Sequence, residues 1–176
     1  MRAFVAVFPP PSVRHALIEA AQTVPHAGFR LTAPQRVHLT LRFLGDLSPE
    51  ALPRIAAALE PVREGQVPFD AVTTGFGVFP SACRARILWA GVGEGAESLR
   101  ALAHAVEACL QPEGFAPEDR PFVPHITLGR ASRPKPFEPA DATLPELRFT
   151  VSRVDLVQSK HGTTGVAYST LASYHF

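Results

Sequence analysis

Three observations predict an α+β fold with mostly antiparallel strands for this 176-residue chain. Runs rich in β-branched and aromatic residues outnumber three apolar stripes at helical spacing. Several of those runs follow one another with only a short connection, as hairpins do. The phrase His-x-Thr-Leu occurs twice, at His38 and at His125, each time inside a run that otherwise reads as buried strand.

The elements follow in chain order. "RAFVAVF" (residues 2–8) is strand-like and ends at Pro9, Pro10 and Pro11, which cannot join a ladder. Pro11 suits the first turn of a helix, and Val13, Leu17, Ile18 and Ala21 then lie on one face of it. A strand from about Arg36 to Phe43 carries the first phrase and closes at Gly45-Asp46. Ser48, Pro49 and Glu50 read as an N-cap, a first-turn proline and an early acid, leading into the amphipathic "ALPRIAAALEPV". "VPFDAVTTGFGVFP" and "RARILWAGV", joined by "PSAC", read as a hairpin. The clearest helix follows, with Leu99, Leu102, Ala103, Val106 and Leu110 as its stripe and Pro112 and Gly114 past its end. The second phrase, "PHITLGR", comes next, then the proline-rich "ASRPKPFEPADATLPE", expected as an exposed loop. "LRFTVSRVDLVQS", with a bulge expected near Ser152-Arg153, and "GVAYSTLASYHF" complete seven strands and three helices. Each half holds a helix, strands and one copy of the phrase, so residues 1–176 are expected to form a single domain of two related, intertwined lobes around a cleft.

Composition narrows the function. Apolar residues make up 46% of the chain and charged residues 19%, as in a folded globular protein. A net charge of +1 excludes a general electrostatic grip on long nucleic acid, so any such contact is expected to be local. Cys83 and Cys109 have neither the number nor the spacing of a disulfide framework or zinc site, and the short apolar N-terminus has no signal-peptide core. A cytoplasmic monomer with no membrane association is the expectation.

Alternation places His38 and Thr40 on one strand face, with Leu39, Leu41 and Phe43 on the other; His125 and Thr127 are likewise set against Ile126 and Leu128. Two imidazoles facing each other across a cleft supply a general base and a general acid near neutral pH. Phosphodiester cleavage needs both, together with donors to the non-bridging oxygens, a role that Thr40 and Thr127 suit without a metal or other cofactor. A single copy would favour a structural histidine; duplicated chemistry in duplicated strand context favours function.

At these residues the chain resembles the two-histidine (2H) phosphoesterases, and among them the RNA 2′,3′-cyclic phosphodiesterases, also called 2′-5′ RNA ligases. The likeness runs through "RAFVAV", "HLTLRFLGD", Phe79 to Trp89, "PHITLGR", Ser159, Tyr168 and Leu171. It implies a bilobal, pseudo-two-fold fold of two mostly antiparallel sheets flanked by helices, with both His-x-Thr strands lining a central groove. It also implies hydrolysis of a terminal 2′,3′-cyclic phosphate to a 2′-phosphate, with reversible 2′-5′ joining of RNA ends. By that resemblance His125 activates the water, His38 protonates the leaving 3′ oxygen, and Thr40 and Thr127 hold phosphate oxygens; the acid and base roles can be exchanged.

Secondary candidates remain divided. The resemblance places Arg130 in the groove, whereas strict alternation places it on the face opposite His125. Arg42 falls on the His38 face and could meet an RNA phosphate or simply face solvent. Phe43 reads as core by phase, although an aromatic beside a base would stack on it at about 1–3 kcal/mol, and Trp89, in "RILWAGV", reads as core. Lys160 and His161 are candidates for the groove rim, while His15, His26, His104 and His175 read as surface residues. Two rival functions stay open: a related phosphodiesterase acting on a small cyclic nucleotide, and a nucleotide- or RNA-end-binding module with little chemistry. A metal enzyme is disfavoured because the histidines lack nearby Cys, His or acidic companions.

Overall fold

Strands from both halves of the chain are shared between two antiparallel sheets. The computed structural model describes residues 1–24, 28–137, 142–162 and 165–176, so His26 lies outside the described residues, as does the side chain of His161. Its strands are β1 (Arg2–Val7), β2 (Arg30–Leu31), β3 (Leu39–Asp46), β4 (Phe69–Phe79), β5 (Ala85–Val92), β6 (His125–Lys135), β7 (Arg148–Val151), β8 (Arg153–Gly162) and β9 (Gly165–His175); its helices are α1 (Pro11–Gln22), α2 (Leu52–Ala58) and α3 (Ala96–Leu110). One sheet has the order β3-β1-β8-β9 and the other β2-β6-β5-β4-β7. Strand β3 of the first packs against β6 of the second, which brings the two histidine strands together.

The predicted helix stripes are the buried ones. Val13, Leu17, Ile18 and Ala21 of α1 are buried, as are Leu99, Leu102, Ala103, Val106 and Leu110 of α3. Each large aliphatic side chain buried in this way contributes about 1.5–3 kcal/mol. The helices cross over: α1 packs on β2 and β6, and α3 packs on β3. Helix α3 begins at Gly95, where φ is +82° and a Cβ would collide with the Asp70 carbonyl oxygen, so only glycine fits that approach. Helix α2 is shorter than its sequence pattern, because Pro49 and Pro61 leave one-turn 3₁₀ segments at Pro49–Ala51 and Glu60–Arg63. Ser48 forms no side-chain cap there.

Among the described residues nine strands replace the seven expected, for two physical reasons. β2 is only two residues long, too short to show a period. The run from Arg148 to Gly162 does not bulge at Ser152 but changes sheet: β7 pairs with β4, and β8 pairs with β1. The segment read as an exposed proline-rich loop instead extends β6 to Lys135 and then buries Phe137 and Leu144. Cys83 and Cys109 are free thiols, and no helix among the described residues is long and apolar enough to cross a membrane.

β1 is central and buried on both sides. Ala3, Val5 and Val7 enter the main core, while Phe4 and Ala6 form a smaller cluster with Val157, against which Phe8 and Tyr168 pack. That second cluster floors the groove on the His38 side.

Candidate active site

The histidine strands share a defect that alternation alone does not reveal. Where β3 meets β1, Thr40 lies opposite Ala6 and Arg42 opposite Val5, leaving Leu41 unpaired. Where β6 meets β5, Thr127 lies opposite Trp89 and Gly129 opposite Leu88, leaving Leu128 unpaired. The extra residue in each copy is thus the leucine of His-x-Thr-Leu, and a one-residue bulge reverses the faces of everything after it.

This settles the divided candidates. Beyond Leu128, Gly129 turns inward beneath Phe29 and Leu31, and Arg130 emerges exposed on the side of His125 and Thr127. Its charge is felt by His38, His125 and Tyr168. Beyond Leu41 the same reversal sends Arg42 inward. Arg42 is not on the His38 face: it is buried, 2.6 Å from Glu118, 3.6 Å from Glu107 of α3, and donates to the Ala116 carbonyl. Phe43, expected in the core, emerges instead on the groove side, 64% exposed and 6.3 Å from the Phe4 ring. Arg130 and Phe43 therefore hold equivalent places in the two copies of the phrase.

Each imidazole is held in the same way. The His38 Nδ1 lies 2.7 Å from the Arg36 carbonyl oxygen, and the His125 Nδ1 lies 2.7 Å from the Val123 carbonyl oxygen, two residues upstream in both cases. A carbonyl only accepts, so Nδ1 carries the proton and Nε2 keeps its lone pair in the neutral ring. Aromatic rings fix the remaining freedom. Phe4 stacks on His38 at 4.8 Å, Phe8 sits at 5.4 Å, and Tyr168 presents an edge at 5.3 Å. His125 has Phe79 at 5.0 Å and Trp89 at 6.1 Å. Trp89, expected in the core, is half-buried and lies over Gly77 on the His125 side.

Burial in these aromatic surroundings disfavours the charged imidazolium. It lowers the His38 pKa to about 4, against the bond to Arg36, with the charges of Arg130 and His125 adding to the fall. His125 is lowered by burial and then by Arg130, again against its backbone bond. Both rings are thus neutral at pH 7 in the empty groove. Burial also raises the Tyr168 phenol, partly offset by Arg36 and Arg130. Among the described residues, no three His, Cys, Asp or Glu side chains gather as a metal-ligand set.

Sequence reasoning brought His38, Thr40, His125 and Thr127 to this face, left Arg130 divided between the two faces, and did not single out several of the residues around them. Phe4 and Phe8 could have been found, since they share a face at period two beside the first phrase. Arg36 carried no comparable signal, and Tyr168 entered only as part of the family likeness, without a role. Lys160 pairs with Ala167, one step out of phase with the Ser159–Tyr168 pair on the groove side, so it falls on the other face. His15, His104 and His175 are exposed away from the cluster, and His15 bonds the Pro11 carbonyl of its own helix.

The profile of the 2′-5′ RNA ligase superfamily matches residues 9–163. The chain is 38% identical to an RNA 2′,3′-cyclic phosphodiesterase of Thermus thermophilus, over 99% of this chain and 89% of the relative. It is 31% identical to one of Thermotoga maritima, over 100% and 96%. Its fold superposes on the crystal structure of a Thermus thermophilus protein with TM-score 0.87 and 35% identity, covering 99% and 97% of the two chains. It is also similar to E. coli LigT complexed with 3′-AMP, with TM-score 0.80 and 26% identity over 99% and 97%.

Two substitutions test this geometry. Arg42→Ala is expected to cost about 1–3 kcal/mol in denaturant unfolding while turnover stays within about twofold, because charged hydrogen bonds rather than substrate contacts are lost. A tenfold loss of turnover in a folded variant would return Arg42 to the groove. Gly77→Ala is expected to displace the indole of Trp89, destabilising the fold by about 1–3 kcal/mol through overpacking. As Trp89 is the sole tryptophan, its emission reports the displacement, and an unchanged spectrum would show that the indole does not rest on Gly77.

Proposed function

Because the chain belongs to the 2′-5′ RNA ligase superfamily, we propose that it is an RNA 2′,3′-cyclic phosphodiesterase that opens the terminal cyclic phosphate to a 2′-phosphate. The observation that carries this reading is the matched pair of imidazoles, each tethered at Nδ1, each close enough to Arg130 to feel its charge, and each beside a threonine.

The chemistry follows from those groups. A water oxygen attacks phosphorus while Nε2 of His125 takes its proton. The bond from phosphorus to O3′ breaks as His38 donates a proton from Nε2 to that oxygen, leaving the phosphate on O2′. Thr40, Thr127 and Arg130 stabilise the charge that builds on the non-bridging oxygens. A 5′-hydroxyl in place of water leaves the same groups in the same roles and produces a 2′-5′ linkage, so hydrolysis and joining are one reaction with two nucleophiles. Phe43 offers its exposed face to the base of the terminal nucleotide, a stack worth about 1–3 kcal/mol.

Proton supply is coupled to substrate. His38, held at about 4 by burial and by neighbouring positive charge, is neutral until an anion enters. The phosphate supplies the opposite charge that allows it to hold a proton. A binding module would have no use for this arrangement, which favours the catalytic reading over that rival. All the named groups come from one chain, and no second copy is needed to complete the site.

His38→Ala and His125→Ala, each tested alone on a nucleoside 2′,3′-cyclic phosphate, are expected to lower turnover by at least about 10²-fold, the lower end of what a positioned acid or base contributes. Near-full activity in either variant would exclude the two-histidine mechanism. The pH profile gives a second check. Since kcat/KM reports the free enzyme, and both free imidazoles lie below the ordinary 6.5, its alkaline limb is expected below pH 6.5, whereas the limb of kcat moves upward in the anionic complex. A kcat/KM plateau extending past about pH 8 would show that His38 and His125 are not the titrating pair.

A further inference from the structure

The net charge of +1 hides an uneven distribution. Residues 20–45, 71–93 and 120–137 contain no Asp or Glu, and these spans hold β2, β5, β6 and both His-x-Thr-Leu phrases. Six arginines of the chain pair with carboxylates among the described residues: Arg42, Arg54, Arg63, Arg100, Arg148 and Arg153. Arg30, Arg84, Arg86, Arg130 and Arg133 have no such partner among the described residues, and all five are exposed. The topology collects them. Arg30 pairs with Arg130 across β2 and β6, Ala85 pairs with Lys135 across β5 and β6, and Arg86 donates to the Ser132 carbonyl. They gather where β5 and β6 run on beyond Arg130, over a length of up to about 17 Å at the rise of an extended strand.

Exposed guanidinium groups without carboxylate partners attract a polyanion, and here they are continuous with the site that takes a phosphate. The other cationic hollow, beside Phe8, is weaker in this respect. Its Arg14 is spent on the Pro34 and Gln35 carbonyls and its Arg153 on Asp155. We propose that the ends of β5 and β6 beyond Arg130, carrying Arg84, Arg86 and Arg133, form a track for the phosphates of the RNA strand that precedes the reacting end. This rests on the cyclic phosphodiesterase reading and deepens it, because it selects an RNA strand over the small cyclic nucleotide as the favoured substrate.

The test compares uridine 2′,3′-cyclic phosphate with an oligouridylate of about ten nucleotides bearing the same end. The unsubstituted chain is expected to show a kcat/KM at least about tenfold higher for the oligonucleotide, falling as salt rises. In the triple variant Arg84→Ala, Arg86→Ala, Arg133→Ala, that advantage is expected to drop at least about tenfold and the salt slope by about two to three, while turnover of the mononucleotide, too short to reach the track, stays within about twofold and certifies the fold. The ion-paired set Arg54→Ala, Arg63→Ala, Arg100→Ala removes the same net charge elsewhere and is expected to leave the oligonucleotide advantage intact. Equal losses in both triple variants, or no oligonucleotide advantage in the unsubstituted chain, would overturn the track. Inactivity of the unsubstituted chain toward both substrates would instead overturn the phosphodiesterase function itself.

Discussion

The unpaired leucine in each histidine strand governs which chemistry reaches the groove. Up to Thr40 and Thr127 the strands alternate normally, so His and Thr share a face. At Leu41 and Leu128 each strand gains one residue against its neighbour, and the phase reverses. Without the bulge, Arg130 would point into the protein and Arg42 into the groove. With it, Arg42 becomes a tie between β3, α3 and the segment ahead of β6, and the groove gains a cation on one side and an aromatic ring on the other. Leu41 and Leu128 are themselves buried, so the irregularity is anchored by packing.

A second constraint acts on the imidazoles. Each is fixed from behind by a backbone carbonyl, which sets the tautomer, and from the sides by aromatic rings, which set the tilt and exclude water. The rings withdraw solvent from the charged form, while Arg130 repels it. The empty groove therefore stores no protonated histidine. In the proposed mechanism an anionic phosphate reverses both penalties at once, so the acid is assembled by the molecule it acts on. In the reaction proposed above, the same low-dielectric walls strengthen the contacts of Thr40, Thr127 and Arg130 with developing charge.

Much of this was legible in the sequence, and the failures have a common cause. The duplicated phrase singled out His38, Thr40, His125 and Thr127, which the two packed strands bring together, because identical residues in identical context carry information that a single copy does not. The helix stripes of α1 and α3 were readable because a period persists over several turns. Arg42 and Phe43 were misread because phase counting assumes an uninterrupted ladder, and a bulge is a property of two strands and their register. The change of sheet at Ser152 escaped for the same reason: the run continues in sequence, and only its partners change. Arg36 and Tyr168 reach the site through tertiary placement that no local pattern encodes.

The crossing of the helices makes the two copies of the phrase mutually dependent. Helix α1, from the same half as His38, supports β6 beneath His125; helix α3 lies before the second phrase in sequence yet supports β3 beneath the first. A cut in the chain after α2 would leave each histidine strand without its supporting helix, and would part Arg42 from Glu107 and Glu118. The repeat is thus not a pair of separable modules set side by side. Each half supplies a helix that packs on the other half's histidine strand, α1 on β6 and α3 on β3.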